Sequence, residues 1–314
     1  MMSRKKIAFF GAGNVGGTAA FICAIKELGD IVLIETHQQE GIAKGKAMDI
    51  RQSLSFFNAD ISIFGTSDQQ AICDADVVIV LAGFPRKPGM DRNDLFNSNY
   101  IIVESIAGAI RNYAPECTVI VVTNPLDAIT FSMFKLTGFP RNRVIGMAGV
   151  LDSARFQSFL SDKINCSVKD IRALVLGSHG DDMVPVKSCA TINGLPVASI
   201  LDEHSLSDSI EKTRNSGSEF VNLMGTSAYY AAGSSVAVLI ESIVKDQKRL
   251  LPCSVYLEGE YGISGTCIGV PVIIGANGAE RIIEIDLDRD ELYKLQNSAD
   301  IVKETASLNK WLFL

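Results

Sequence analysis

The hexapeptide Gly11-Ala12-Gly13-Asn14-Val15-Gly16 constrains this chain more than any other stretch of it. It follows directly on the apolar run 7–10 and opens a helical pattern over 15–28. In a strand-to-helix turn of this kind the first glycine permits the tight turn, the second lets a pyrophosphate approach the backbone, and the third lets the helix pack on the strand. An anion placed there meets the unpaired amide groups of the helix start. Alone, the pattern also suits other nucleotide binders or a simple loop closure. Its surroundings narrow the reading.

Short apolar runs at 31–34, 61–64, 77–81, 118–122 and 144–145 alternate with helical spacing at 41–52 and 97–113. Strands with nearly continuous apolar residues are covered on both faces, so the pattern predicts a doubly wound parallel sheet of the Rossmann kind. The character changes after Gly146. Helices are expected over 151–164, 206–223 and 226–244, a strand over 171–176, and an antiparallel meander over 255–257, 266–274 and 282–285 before a last helix at 288–308. The expected fold class is therefore α/β, with a dinucleotide-binding domain over 1–145 and an α+β substrate domain over 146–314. At 314 residues one core is not enough, and a cleft between two packed parts is expected.

The net charge of −7 gives no footprint for nucleic acid or an anionic membrane, and the longest apolar runs fall well short of a membrane span. The seven cysteines are odd in number and never closer than 14 positions, which leaves neither a CxxC metal site nor a disulfide framework. A reducing, cytoplasmic location is the expectation. Residues 1–6 are too short for a signal peptide ahead of the first strand.

Glu35 ends the second strand, 19 residues after Gly16. A carboxylate there accepts hydrogen bonds from the adenosine ribose and repels a 2'-phosphate, which predicts NAD rather than NADP, with His37 as a nearby complication. Elsewhere, His179 stands in Gly-Ser-His-Gly just past the strand at 171–176. Asp152 and Arg155 lie three apart at the start of a helix and project from one face. Each has a plain structural alternative, a turn histidine or a surface ion pair. The segment 82–92, Ala-Gly-Phe-Pro-Arg-Lys-Pro-Gly-Met-Asp-Arg, sets three basic residues within seven positions against an acidic chain, and its prolines and glycines suggest a lid.

GAGNVG, Glu35, AGFPRKPGMDR, VTNPLD, LDSARF and GSHGDDMVP occur in the order and spacing of the lactate/malate dehydrogenase family. Over essentially its whole length the chain resembles that family, and within it the lactate-dehydrogenase-like malate dehydrogenases. The resemblance implies reversible oxidation of (S)-malate to oxaloacetate by hydride transfer to NAD, a place in the tricarboxylic acid cycle, and a homodimer or homotetramer. It makes His179 the general acid/base, Asp152 its partner, Arg155 the clamp on the C1 carboxylate, and Arg92 the group that polarises the C2 oxygen. Asn124 contacts substrate and cofactor, and its bond to Pro125 is expected to be cis. Gly11, Ala12, Gly13, Asn14, Val15, Gly16, Glu35, Asn99, Val122 and Thr123 complete the cofactor site. No metal is implied.

By the same resemblance, Arg86 selects the substrate, since lactate enzymes carry glutamine there. The chemistry agrees: Arg86 can pair with a second carboxylate, whereas pyruvate leaves it a desolvated guanidinium with no partner. Three rivals remain: a lactate or other 2-hydroxyacid dehydrogenase, an NAD-dependent glycosidase, and a non-catalytic dinucleotide binder or methyltransferase. The glycosidase needs a Cys/His metal site, and only Cys189 is near His179 in sequence.

Overall fold

The computed structural model describes residues 4–85 and 92–309. In the first half β1 (Lys6–Phe10), α1 (Asn14–Ile25), β2 (Asp30–Ile34), α2 (Glu40–Phe57), β3 (Ile63–Thr66), β4 (Val77–Val80), α3 (Arg92–Tyr113), β5 (Thr118–Val121), α4 (Leu126–Thr137) and β6 (Val144–Gly146) follow one another. The six strands pair in parallel in the order β3-β2-β1-β4-β5-β6. Phe9, Ile79 and Ile120 are wholly buried at its centre, as strands covered on both faces require. Strand order reverses between β1 and β4, and the crevice beyond their carboxyl ends is where such sheets bind ligands.

The second half comprises α5 (Gly149–Ile164), β7 (Ile171–Gly177), β8 (Met183–Ile192), β9 (Leu195–Pro196), α6 (Glu203–Met224), α7 (Tyr230–Val244), β10 (Arg249–Glu258), β11 (Ser264–Gly275), β12 (Gly278–Ile282) and α8 (Arg289–Ala306). The meander β10-β11-β12 is antiparallel, as expected. The halves are not merely packed together. β6 meets β10 at Gly146 and Ser254, and β11 meets β7 at Gly269 and Gly177, so one twelve-stranded sheet runs through the molecule. The main hydrophobic core crosses the same line, joining Phe9 and Ile120 to Val255 and Val270. A smaller core under α5 and α6 is built on Phe156, Leu160, Ile171 and Leu206.

Three elements escape the sequence reading: α4, β8 and the two-residue β9. Helix α4 buries most of its circumference, so it lacks the polar face that marks an amphipathic helix. Thr130, Ser132 and Thr137 are buried within it because each hydroxyl donates to the carbonyl four residues earlier, at 2.8, 2.8 and 2.7 Å. The hairpin partner β8 is likewise absent from the sequence reading. It pairs with β7 through an irregular register between Arg172 and Leu174, which breaks the simple alternation of a strand. Elsewhere the boundaries shift. β10 begins six residues before the expected 255, running through Pro252, which faces Pro271 in register. β3 and β12 sit at 63–66 and 278–282 rather than 61–64 and 282–285.

Candidate active site

The glycine turn lies at the sheet's switch point. Gly11 has φ +109°, a conformation in the left-handed region that disfavours side chains. A Cβ on Gly16 would fall 2.0 Å from the Gly11 carbonyl oxygen, so only glycine lets α1 start this close to β1. A Cβ on Gly13, by contrast, would meet nothing within 4 Å. Gly13 is the N-cap of α1 and supplies no side-chain cap, which leaves the first amide groups of Asn14 and Val15 for an external acceptor. Glu35 follows β2 and its Oε1 accepts the Ala12 N–H at 2.6 Å, fixing a carboxylate beside the turn. Together, the open face at Gly13, the uncapped helix start and the anchored Glu35 fit a dinucleotide with an unphosphorylated ribose. Sequence reasoning passed over Lys46 on α2, whose Nζ donates to the Gly13 carbonyl at 2.8 Å. Lys46 belongs to no motif, and only the packing of α2 on α1 brings it there.

The second shelf of the crevice is the end of β5. Val122 donates its N–H to the Val80 carbonyl at 2.8 Å, and Thr123 Oγ1 donates to the Ala82 carbonyl at 2.8 Å. Asn124 is exposed, and the Asn124-Pro125 peptide is cis. Asn99 is fully buried and its amide is wholly engaged: Oδ1 accepts from the Phe84 N–H at 2.7 Å, and Nδ2 donates to the Asn124 carbonyl at 2.7 Å. Its side chain thus ties the segment before residue 86 to the Asn124 turn. Arg86 lies outside the described residues.

Opposite this shelf stand the titratable groups. Helix α5 presents Asp152 from its first turn, with a side chain only 2% exposed. His179 Nδ1 donates to Asp152 Oδ2 at 2.8 Å, which leaves Nε2 on the ring edge turned away from Asp152. Arg155, one turn on, donates from Nη1 to Asp152 Oδ1 at 3.2 Å and lies 5.8 Å from the Phe220 ring centre. Its buried Nε has no protein partner among the described residues, an arrangement suited to an anionic ligand. Burial pushes the His179 imidazole down, but the charge and hydrogen bond of Asp152 push it up more strongly, with help from Asp127, so its pKa stands above the ordinary histidine value. Burial likewise lowers the Arg155 pKa against the pull of Asp152.

The turn carrying His179 is held from two sides. Gly177, at φ +79°, ends β7 and swings the chain outward. The Ser178 N–H donates to Ser298 Oγ of α8 at 2.9 Å, and the His179 N–H donates to Asp127 Oδ2 of α4 at 2.8 Å. Asp127 is 3% exposed, and burial raises its carboxyl pKa against the opposing pull of Ser254, His179 and Arg92. It was not among the expected site residues, although it closes the VTNPLD segment. Arg92 opens α3 and reaches across to the same turn. Its Nη1 donates to Asp182 Oδ2 at 3.3 Å, and its Nη2 would stand 2.8 Å from a Cβ on Gly180. Arg92, Asp127, Ser178 and His179 line one small cavity with Pro125 and Leu126. A roomier depression at the amino ends of the strands, lined by Arg4, Lys6, Asp30 and Asp76, contains neither His179 nor Asp152. Among the described residues no three His, Cys, Asp or Glu side chains are grouped to hold a metal.

A parallel sheet with a dinucleotide turn at its switch point, facing a buried His-Asp-Arg cluster on an antiparallel half, defines a two-domain NAD-linked oxidoreductase. Residues 5–146 match the model of the lactate/malate dehydrogenase NAD binding domain, and 149–310 match that of the lactate/malate dehydrogenase alpha/beta C-terminal domain. The chain belongs to the lactate/malate dehydrogenase family. It is 49% identical to malate dehydrogenase 1 of Anaeromyxobacter dehalogenans over 99% of this chain and 100% of that one. The apo malate dehydrogenase of Picrophilus torridus superposes with a TM-score of 0.94 at 40% identity, covering 99% of each chain. The lactate dehydrogenase of Cryptosporidium parvum, solved with lactic acid and nicotinamide adenine dinucleotide, also gives 0.94, at 37% identity over 98% of each. The backbone is therefore shared by enzymes of both substrates.

Proposed function

We propose that this chain is an NAD-dependent malate dehydrogenase, interconverting (S)-malate and oxaloacetate. The observation that carries the reading is the 2.8 Å contact of His179 with a buried Asp152 that also engages Arg155. It joins a proton acceptor to a carboxylate clamp in a family whose 49%-identical relative is a malate dehydrogenase. NAD bound at the glycine turn supplies the hydride acceptor at nicotinamide C4. In the oxidative direction His179 Nε2 takes the proton of the C2 hydroxyl, and Asp152 stabilises the resulting imidazolium. Arg155 holds the C1 carboxylate with its planar fork. Arg92 lies beside the C2 oxygen and stabilises the negative charge that develops there during reduction.

Arg86 selects the four-carbon dicarboxylate by pairing with its second carboxylate. A pyruvate methyl leaves that charge uncompensated, at a cost of about 2–5 kcal/mol or roughly 30- to 5,000-fold in rate. Arg86→Gln tests the assignment: with NADH absorbance read on oxaloacetate and pyruvate side by side, the oxaloacetate/pyruvate ratio drops sharply. An unchanged ratio means that Arg86 does not choose the substrate, and a wild-type ratio that already favours pyruvate means that the enzyme is a lactate dehydrogenase.

The working form is a homodimer or homotetramer. Supporting this, α2 exposes Met48, Phe57 and Phe56, the last at 87%, and α6 ends in exposed Leu223 and Met224. The location is cytoplasmic, a reading supported by seven free cysteines. Among the described residues no helix is long and apolar enough to cross a membrane.

A further inference from the structure

The turn between β7 and β8 holds more than His179. Met183 donates its backbone N–H to the Gly180 carbonyl at 3.1 Å, and a Cβ on Gly177 would stand 3.2 Å from the Asp182 carbonyl oxygen, so residues 177–183 form a tight unit. His179 and Asp182 are therefore fixed relative to each other by backbone geometry. Arg92 comes from the other half of the chain, 90 positions earlier, on a long side chain with several free torsions. Two contacts oppose that freedom. Asp182 Oδ2 accepts from Nη1 at 3.3 Å, and the bare Cα of Gly180 lets Nη2 lie against the turn. Arg92 and Asp182 are each about one-third exposed, 33% and 34%, so the pair is open to solvent. Such a pair contributes little to stability, and its value lies in where it places the guanidinium.

We infer that Asp182 is a positioning residue for the reaction, a carboxylate that holds the Arg92 guanidinium against the His179 turn so that proton donor and oxygen-polarising cation share one rigid frame. The inference rests on the reading of Arg92 as the group beside the C2 oxygen. Asp182 touches neither substrate nor cofactor. It acts on the transition state through Arg92, where a displacement of about 1 Å costs up to a hundredfold. Asp182 also sets a negative charge near an incoming dianion. Its removal therefore does not weaken ground-state binding, and the effect falls on kcat rather than KM.

A double-mutant cycle on the full chain tests this, with NADH oxidation by oxaloacetate followed at enzyme concentrations high enough to measure slow variants. Asp182→Asn lowers kcat about tenfold, raises KM for oxaloacetate by no more than about threefold, and leaves NADH affinity and Tm unchanged. Asp182→Ser, which cannot mimic the carboxylate, loses at least as much, and Asp182→Glu recovers part of the rate. In an Arg92→Gln background, Asp182→Asn changes kcat less than about twofold, because nothing remains to be positioned. The inference is overturned if Asp182→Asn keeps kcat within twofold of the parent. It is equally overturned if the loss appears only in KM, tracks a fall in Tm, or persists undiminished without Arg92. Should Arg92→Gln itself turn over normally, it is the role given to Arg92 that fails, which the single variant shows independently.

Discussion

Replacing Asp152 by asparagine probes the proposed proton-transfer centre with the least change of shape. The carboxylate is nearly isosteric with the amide, its side chain is 2% exposed, and it lies 2.8 Å from His179 Nδ1 and 3.2 Å from Arg155 Nη1. Packing therefore survives, while the negative charge is lost. With charge centres about 4–5 Å apart and an effective dielectric near 20, the missing attraction for an imidazolium is about 3–4 kcal/mol. That disfavours the protonated histidine by roughly 10²- to 10³-fold. The sign follows from what remains. Burial and Arg155 both oppose the imidazolium, and without Asp152 little counters them. Oxaloacetate reduction needs the imidazolium, so in the parent it is fully active below the raised His179 pKa and lost as pH rises through it. In Asp152→Asn that limb moves to lower pH, and kcat/KM for reduction near neutrality falls about 10²- to 10³-fold. Malate oxidation needs the neutral ring and extends to lower pH instead. Steady-state rates in both directions over about pH 5–10, with NADH binding titrated by fluorescence and unchanged within twofold, read this out. Turnover within threefold of the parent, with an unmoved reduction limb, would refute the argument.

Two further predictions bear on the same halves of the site. His179→Asn binds NADH as the parent does and loses turnover by at least two orders of magnitude; near-normal rates in stopped or continuous assay would remove His179 from the chemistry. Gly16→Ala places a Cβ where the Gly11 carbonyl oxygen now stands 2.0 Å away, so the turn must open by about 1 Å. NADH affinity then falls at least about tenfold, with a stability loss of about 1–3 kcal/mol read by thermal melting. Parent-like NADH affinity in that variant would mean that the turn does not cradle the cofactor.

How far the site was legible in the sequence depends on whether a residue announces itself locally. Glycine spacing, the end of a buried strand and the i,i+3 pair Asp152 and Arg155 are local properties, and the side-chain chemistry of His179 is intrinsic. The parallel half was legible for the same reason, since strands covered on both faces read as unbroken apolar runs. Helix α4 was not: it buries Asp127, Thr130, Ser132 and Thr137 along with its apolar residues, so polarity along it does not mark an exposed face. Asp127, the last residue of VTNPLD, looks in sequence like an ordinary carboxylate, and only the fold makes it the acceptor for the His179 backbone.

From its own residues, then, the chain determined a dinucleotide turn and a doubly wound sheet, and its resemblance to the family singled out the candidate reacting groups. Tertiary structure alone decided which groups meet. Asp152 and His179 are 27 positions apart, Asp127 and His179 are 52, and Arg92 and Asp182 are 90. Lys46 reaches the glycine turn only because α2 packs against α1. Sequence periodicity records which face of an element is buried, whereas these contacts depend on strand order, register and helix docking. Those are set by the summed packing of the whole core, and no short window of residues contains them.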